Sequence, residues 1–143
     1  QAIKELEKFI DEDDILKFVK RKAQLYTLFS VIFYMQREKI EISDLHVKRL
    51  RDFVKLYSVF DNDLDMDGKL SEKEKNLYDM LKKYKLASSE GLNKHTNRMI
   101  RFTVMRDFLC NEDEGLTEVQ HSLYTKIEDS KIEKDDNNSM ITN

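Results

Sequence analysis

The chain contains no proline and only three glycines in 143 residues. An all-β protein needs such residues at its turns, so their scarcity argues against that class and predicts a mostly helical fold. The single cysteine, Cys110, rules out an internal disulfide framework and fits a reducing, cytoplasmic setting. Long apolar runs are missing as well. The longest, LYTLFSVIFYM at 25–35, falls far short of the roughly 20 residues that a bilayer-crossing helix needs, so no transmembrane segment is expected. Nor is there a basic excess: the formal charge is -3, which speaks against nucleic acid as the partner. Glycine-rich phosphate loops, nucleophile elbows and paired catalytic carboxylates are lacking too, and no enzymatic activity is expected of these residues. His46, His95 and His121 are scattered without metal-ligand spacing, and Cys110 has only Arg106 nearby to activate it, so an inert, buried thiol is the expectation.

What is present is enough apolar bulk for one core. Apolar residues make up 40% of the chain, with eight Phe and six Tyr among them, against 37% charged residues. Residue 1 is Gln and already lies in a helix-like pattern, so the expectation is a processed product or a piece of a longer chain.

The apolar spacing lays out a series of helices. Ile3, Leu6 and Ile10 mark the first, and DEDD at 11–14 follows, with Asp14 placed to cap the next. One long helix is expected through Ile15, Phe18, Val19, Lys22, Leu25, Tyr26, Phe29, Ile32 and Phe33. Its second half is apolar nearly all round, which implies a core helix or a surface in need of a partner. Ser43 and Asp44 offer a cap for a helix carrying Leu50, Phe53, Val54, Tyr57 and Phe60. Leu77, Met80, Leu81 and Tyr84 mark another. After SSEG at 88–91, which includes a capping serine, comes a stripe of Met99, Ile100, Phe102, Met105, Phe108 and Leu109. NEDEG at 111–115 precedes a last amphipathic stretch with Leu116, Val119, Leu123, Tyr124 and Ile127. From Asp129 onward the chain is polar and reads as a disordered tail.

Between the helices around Phe60 and Leu77 stands DNDLDMDGKLSEKE, with four aspartates in seven positions and one of the rare glycines. Only one register matches the loop pattern D-x-[DN]-x-[DN]-G-x5-E: Asp63 at position 1, Asp65 at 3, Asp67 at 5, Gly68 at 6, Lys69 at 7, Ser71 at 9 and Glu74 at 12. Starting at Asp61 instead puts Met66 at the glycine position. Calcium is a hard cation that takes six to eight oxygens, so carboxylates alternating along a tight loop can converge on it. Gly68 supplies the bend, the carbonyl of Lys69 and the hydroxyl of Ser71 add donors, and Glu74 offers both carboxylate oxygens. The expected metal ligands are therefore Asp63, Asp65, Asp67, Lys69, Ser71 and Glu74, and the expected ion is Ca2+.

Over residues 44–86 this pattern resembles the calmodulin-like EF-hand superfamily, whose helix-loop-helix units bind calcium. The family often carries an aromatic directly before position 1, where this chain has Asn62, with Phe60 two residues earlier. The resemblance implies an all-α EF-hand-like pair preceded by N-terminal helices. The expected division is an N-terminal helical segment at 1–42, a pair of hands at 43–128 and a tail at 129–143. Hands pair through a short strand at position 8, here Leu70. Two segments could supply the counterpart. NRMIRFTV could place Ile100 there, with Val104 where a Glu should bind metal. CNEDEGLTEVQ could place Leu116 there, with Asn111, Asp113 and Gln120 at positions 3, 5 and 12. The second is preferred for its acidity and flanks. A further degenerate loop, FYMQREKIEISD, would use Ile40 and Asp44 but lacks the earlier carboxylates.

The expected function is a calcium sensor or regulatory module that engages a protein partner through an apolar groove bearing Met80, Met99 and Met105. The alternatives are an EF-hand regulatory domain of a larger enzyme, such as a calcium-dependent kinase, and a scaffold in which calcium is a static brace. Lys17, Lys20, Arg21 and Lys22 beside an apolar face leave room for peripheral membrane contact or a calmodulin-like groove.

Overall fold

The computed structural model describes residues 2–91 and 93–141. Among the described residues the chain is all-α, with no strand: α1 Ala2–Ile10, α2 Asp13–Val19, α3 Lys22–Arg37, α4 Asp44–Val59, α5 Glu72–Ala87, α6 His95–Leu109 and α7 Leu116–Ile141. The helix pairs α4/α5 and α6/α7 are each joined by an acidic loop, and they interlock: α4 lies against α7 and α5 against α6. Helices α1 to α3 pack onto this unit, α2 against α4 and α3 against α6, so residues 2–42 share one core with the rest.

The expected single helix from Ile15 to Phe33 is instead two. The chain bends at Lys20 and Arg21, where Arg21 adopts an extended conformation. The bend lets Phe18 and Val19 of α2 bury toward α4 while Leu28, Val31, Ile32 and Met35 of α3 bury toward α6. One straight helix cannot serve both neighbours. Lys17, Lys20, Arg21 and Lys22 are all exposed around this corner. Asp14 lies inside the first turn of α2, and the cap position belongs to Glu12. The apolar stretch of α3 is not buried all round, since Tyr26 and Phe33 face solvent.

Smaller rotations separate expected from observed faces. In α1 the fully buried residue is Phe9, with Ile3 outward. In α6 the inward face is Arg101, Val104, Met105, Phe108 and Leu109, while Met99 is exposed. The reason is a buried polar network that draws Arg101 inward. Its Nη1 donates to the Ala87 carbonyl at 2.6 Å and its Nε to Thr27 Oγ1 at 3.3 Å. Beside it the Tyr84 hydroxyl donates to Gln24 Oε1, and Gln24 Nε2 donates to Ser88 Oγ at 3.2 Å. These bonds tie α3, α5 and α6 together and offset the cost of burying polar groups. Ser88 thus closes α5, and the N-cap position of α6 is Lys94. Next to the network lies a cluster of aromatic rings, with Phe53 at its centre.

The expected tail is helical for most of its length: α7 continues past Asp129 to Ile141, and both Ile127 and Ser130 are buried. Residues 142 and 143 lie outside the described residues.

Ser43 caps α4 as expected, with His46 as the third residue of the box. The Ser43 backbone N–H donates to His46 Nδ1 at 3.0 Å. That bond needs an unprotonated Nδ1. Burial, aided by the Arg49 charge, lowers the imidazole pKa from 6.5. A depressed folded pKa means that the unfolded chain binds more protons between the two values, so stability rises with pH across that window. Stability is expected to be flat above the unfolded value near 6.5 and to fall as acidification carries the solution below it. His46→Gln keeps the acceptor without the titration. Urea melts between pH 7.5 and 5 should show a smaller slope in that variant.

Candidate functional site

The acidic loop leaves α4 at Phe60, which is buried against Tyr78 with ring centroids 5.1 Å apart. Leu64 and Met66 then turn into the core, and the residues that alternate with them face outward: Asp63, Asp65 and Asp67 are all exposed. Aspartate side chains stabilise the turns locally. Asp61 Oδ1 accepts from the Asp63 N–H at 2.9 Å, and Asp65 Oδ1 from the Asp67 N–H at 3.0 Å. Gly68 has φ +74°, in the left-handed region where a side chain is strained, so the bend expected of this position is present. Lys69 and Ser71 are exposed beyond it, and Ser71 becomes the N-cap of α5.

Glu74 is placed differently from the other expected ligands. Its side chain is only 4% exposed, and both of its carboxylate oxygens are engaged by protein groups. Oε1 accepts from Lys126 Nζ at 2.6 Å and from the Ser71 N–H at 2.8 Å, while Oε2 accepts from Ser122 Oγ at 2.5 Å. Burial by itself raises the Glu74 pKa, but the bonds from Lys126, Ser122 and Ser71 outweigh it and bring the group down to about 2. The carboxylate is ionised at neutral pH and neutralised from inside the protein.

The second acidic loop lies alongside. Lys73 Nζ reaches Asp113 Oδ2 at 3.5 Å, and Arg49 Nη2 donates to the Asp113 carbonyl at 3.0 Å. Its turns repeat those of the first loop: Asn111 Oδ1 accepts from the Asp113 N–H at 2.8 Å, and Asp113 Oδ1 from the Gly115 N–H at 2.9 Å. Of the two candidate partner segments, NRMIRFTV is part of α6, and CNEDEGLTEVQ forms this neighbouring loop and the start of α7. The short strand pairing expected at Leu70 is not formed among the described residues; side-chain contacts join the loops instead. Gln120, 1% exposed, lines a cleft of about 560 Å³ with Asp14, Asp52 and Lys55 rather than the loop. The FYMQREKIEISD segment is the end of α3 and its turn into α4, with Lys39 at φ +57°.

Residue types, order and backbone bend therefore fit a calcium loop, whereas the side-chain arrangement differs from a closed coordination sphere. Among the described residues no three His, Cys, Asp or Glu side chains are grouped closely enough to hold a metal ion. Two observations account for this. Asp63, Asp65 and Asp67 are exposed on the side of the loop away from the buried Leu64 and Met66, and Glu74 is turned to α7. Sequence reasoning missed Ser122 and Lys126, which stand 48 and 52 residues from Glu74. The only local signal was Ser71-Glu72-Lys73-Glu74, which is also an S-x-x-E capping box: Glu74 Oε1 and the Ser71 hydroxyl bond reciprocally to backbone N–H groups.

His46 serves the α4 cap, and burial raises the Cys110 thiol pKa more than the nearby Arg106 lowers it. No helix among the described residues is long and apolar enough to cross a membrane. Comparison of the chain with family models, with curated proteins and with solved structures found no match.

Proposed function

We propose that this chain is a calcium-binding regulatory module of EF-hand type that engages a protein partner when calcium binds. The observation that carries the reading is Gly68 at φ +74° in the sixth position of a twelve-residue acidic loop between two 16-residue helices. Asp63, Asp65, Asp67, the Lys69 carbonyl, Ser71 and Glu74 are the groups that would hold the ion, which would supply the positive charge their carboxylates share. The interlocked α4/α5 and α6/α7 units support the pairing half of the proposal, with the second loop structural.

The partner would meet apolar surface uncovered as the helices move. Of the three methionines considered for such a groove, Met99 is exposed, Met80 half-buried and Met105 fully buried, so Met105 reaches a partner only if the core opens. A second reading, in which calcium is a static brace, draws on the same Glu74 contacts, because they already fasten α5 to α7.

Calorimetric calcium titration of the intact protein beside Glu74→Gln tests the ligand assignment. Glutamine retains the capping geometry but not the charge, so one site is expected in the parent and none in the variant. Equal binding by both would remove Glu74 from the ligand set. A rise in binding of a hydrophobic dye with calcium favours the sensor; a gain in stability without it favours the brace.

A further inference from the structure

Glu74 is the loop position from which a bound divalent cation would draw two oxygens, and it is also the position to which the protein delivers its own cation. We propose that Lys126 is an internal competitor for Glu74: a latch that holds α7 on the acidic loop and is released when a divalent cation takes the carboxylate. The inference rests on the calcium reading and specifies how that site is regulated.

The contacts are mutually exclusive with metal binding. Glu74 Oε1 serves the Lys126 ammonium at 2.6 Å and the Ser71 N–H at 2.8 Å, and Oε2 serves the Ser122 hydroxyl at 2.5 Å. A calcium ion would approach the same oxygens to about 2.3–2.6 Å, so an ammonium cannot remain in contact without two like charges sharing one site. One of the two must leave.

The partners differ in freedom to move. Glu74 is buried in the first turn of α5, whereas the Lys126 side chain is 39% exposed and can swing its ammonium into water. The internal compensation is also concentrated at this residue. Among the described residues no lysine or arginine pairs with Asp63, Asp65 or Asp67, while Glu74 has one at hydrogen-bond distance.

A second contact makes the latch a property of the helix rather than of one side chain. Ser122, Lys126 and Glu133 are separated by four and seven residues, a spacing that keeps them on one face of α7. From that face Glu133 Oε2 reaches Lys69 Nζ, at position 7 of the loop, at 3.6 Å. Helix α7 therefore grips the loop at its seventh and twelfth positions. The opposite consequence follows from linkage: whatever holds α7 down weakens cation binding, and whatever binds the loop loosens α7 by the same factor. The surface freed in this way is the one now covered by Leu116, Leu123 and Ile127.

The test compares calcium affinity by calorimetry in the intact protein, Lys126→Met and Lys126→Arg, with hydrogen exchange of α7 amides as a second readout. Lys126→Met should bind calcium about tenfold or more tightly than the parent, and Lys126→Arg should stay close to the parent. In the parent, calcium should speed exchange across residues 122–133. Equal affinity in all three proteins, or α7 protection unchanged by calcium in the parent, would overturn the latch and leave the calcium site standing. Absence of binding in every variant would overturn the calcium reading and the latch with it. The exchange measurement needs no variant, so it decides the question even if Lys126→Met fails to fold.

Discussion

Glu74→Ala is expected to lower stability in calcium-free buffer by about 2–4 kcal/mol, and Glu74→Gln by only about 1–2. The difference follows from what each substitution removes. Alanine deletes the acceptor for the Ser71 N–H, the acceptor for Ser122 and the counter-charge of Lys126 together. Glutamine keeps an oxygen for the cap, turns an amide N–H toward the Ser122 hydroxyl, which then accepts, and loses the charge. The full cost of a broken buried pair, about 3–5 kcal/mol, does not apply, because Lys126 is partly exposed and water can solvate its ammonium once it is unpaired. Urea denaturation at pH 7 in the presence of a chelator measures both values. A loss below about 0.5 kcal/mol for alanine would mean that the contacts of Glu74 contribute little to holding α5 against α7. Run with the calcium titration, this experiment separates the two roles assigned to one residue.

Phe53→Ala should have the largest effect on stability alone, a loss of about 3–5 kcal/mol. Phe53 is fully buried on α4, and its ring lies 5.0 Å from Tyr84, 4.8 Å from Phe108 and 6.2 Å from Phe18, centroid to centroid. Those rings come from α5, α6 and α2, so a cavity here loosens four helices at once. Against a typical total of about 5–15 kcal/mol, the variant would sit near the limit of folding. Phe53→Leu should cost well under half as much, since it refills most of the space. Thermal melts followed by circular dichroism would order the three proteins, and near equality of the alanine variant and the parent would contradict this packing.

Both predictions turn on residues whose importance is legible in the sequence to different degrees. Phe53 stands in a stripe with Leu50, Val54, Tyr57 and Phe60, and helical spacing alone directs that stripe inward. Glu74 is prominent in the sequence for its place in the acidic loop. The loop pattern marks it as a ligand, while its partners in the structure, Ser122 and Lys126, lie on a different helix. Nothing in the spacing of α7 announces that a serine and a lysine there will meet a carboxylate in α5.

The same division runs through the chain. Local chemistry, acting over a few residues, was sufficient for the helical class, for the Ser43 cap, for the bend at Gly68 and for the acidic break before Leu116, because each depends on dihedral preferences and hydrogen bonds within one turn. Tertiary packing decided the break between α2 and α3, the inward turn of Arg101 and the commitment of Glu74. Each of these is settled by which helix lies opposite. Burial and charge pairing reward contacts between residues far apart in the chain, and those contacts exist only once the helices have been brought together.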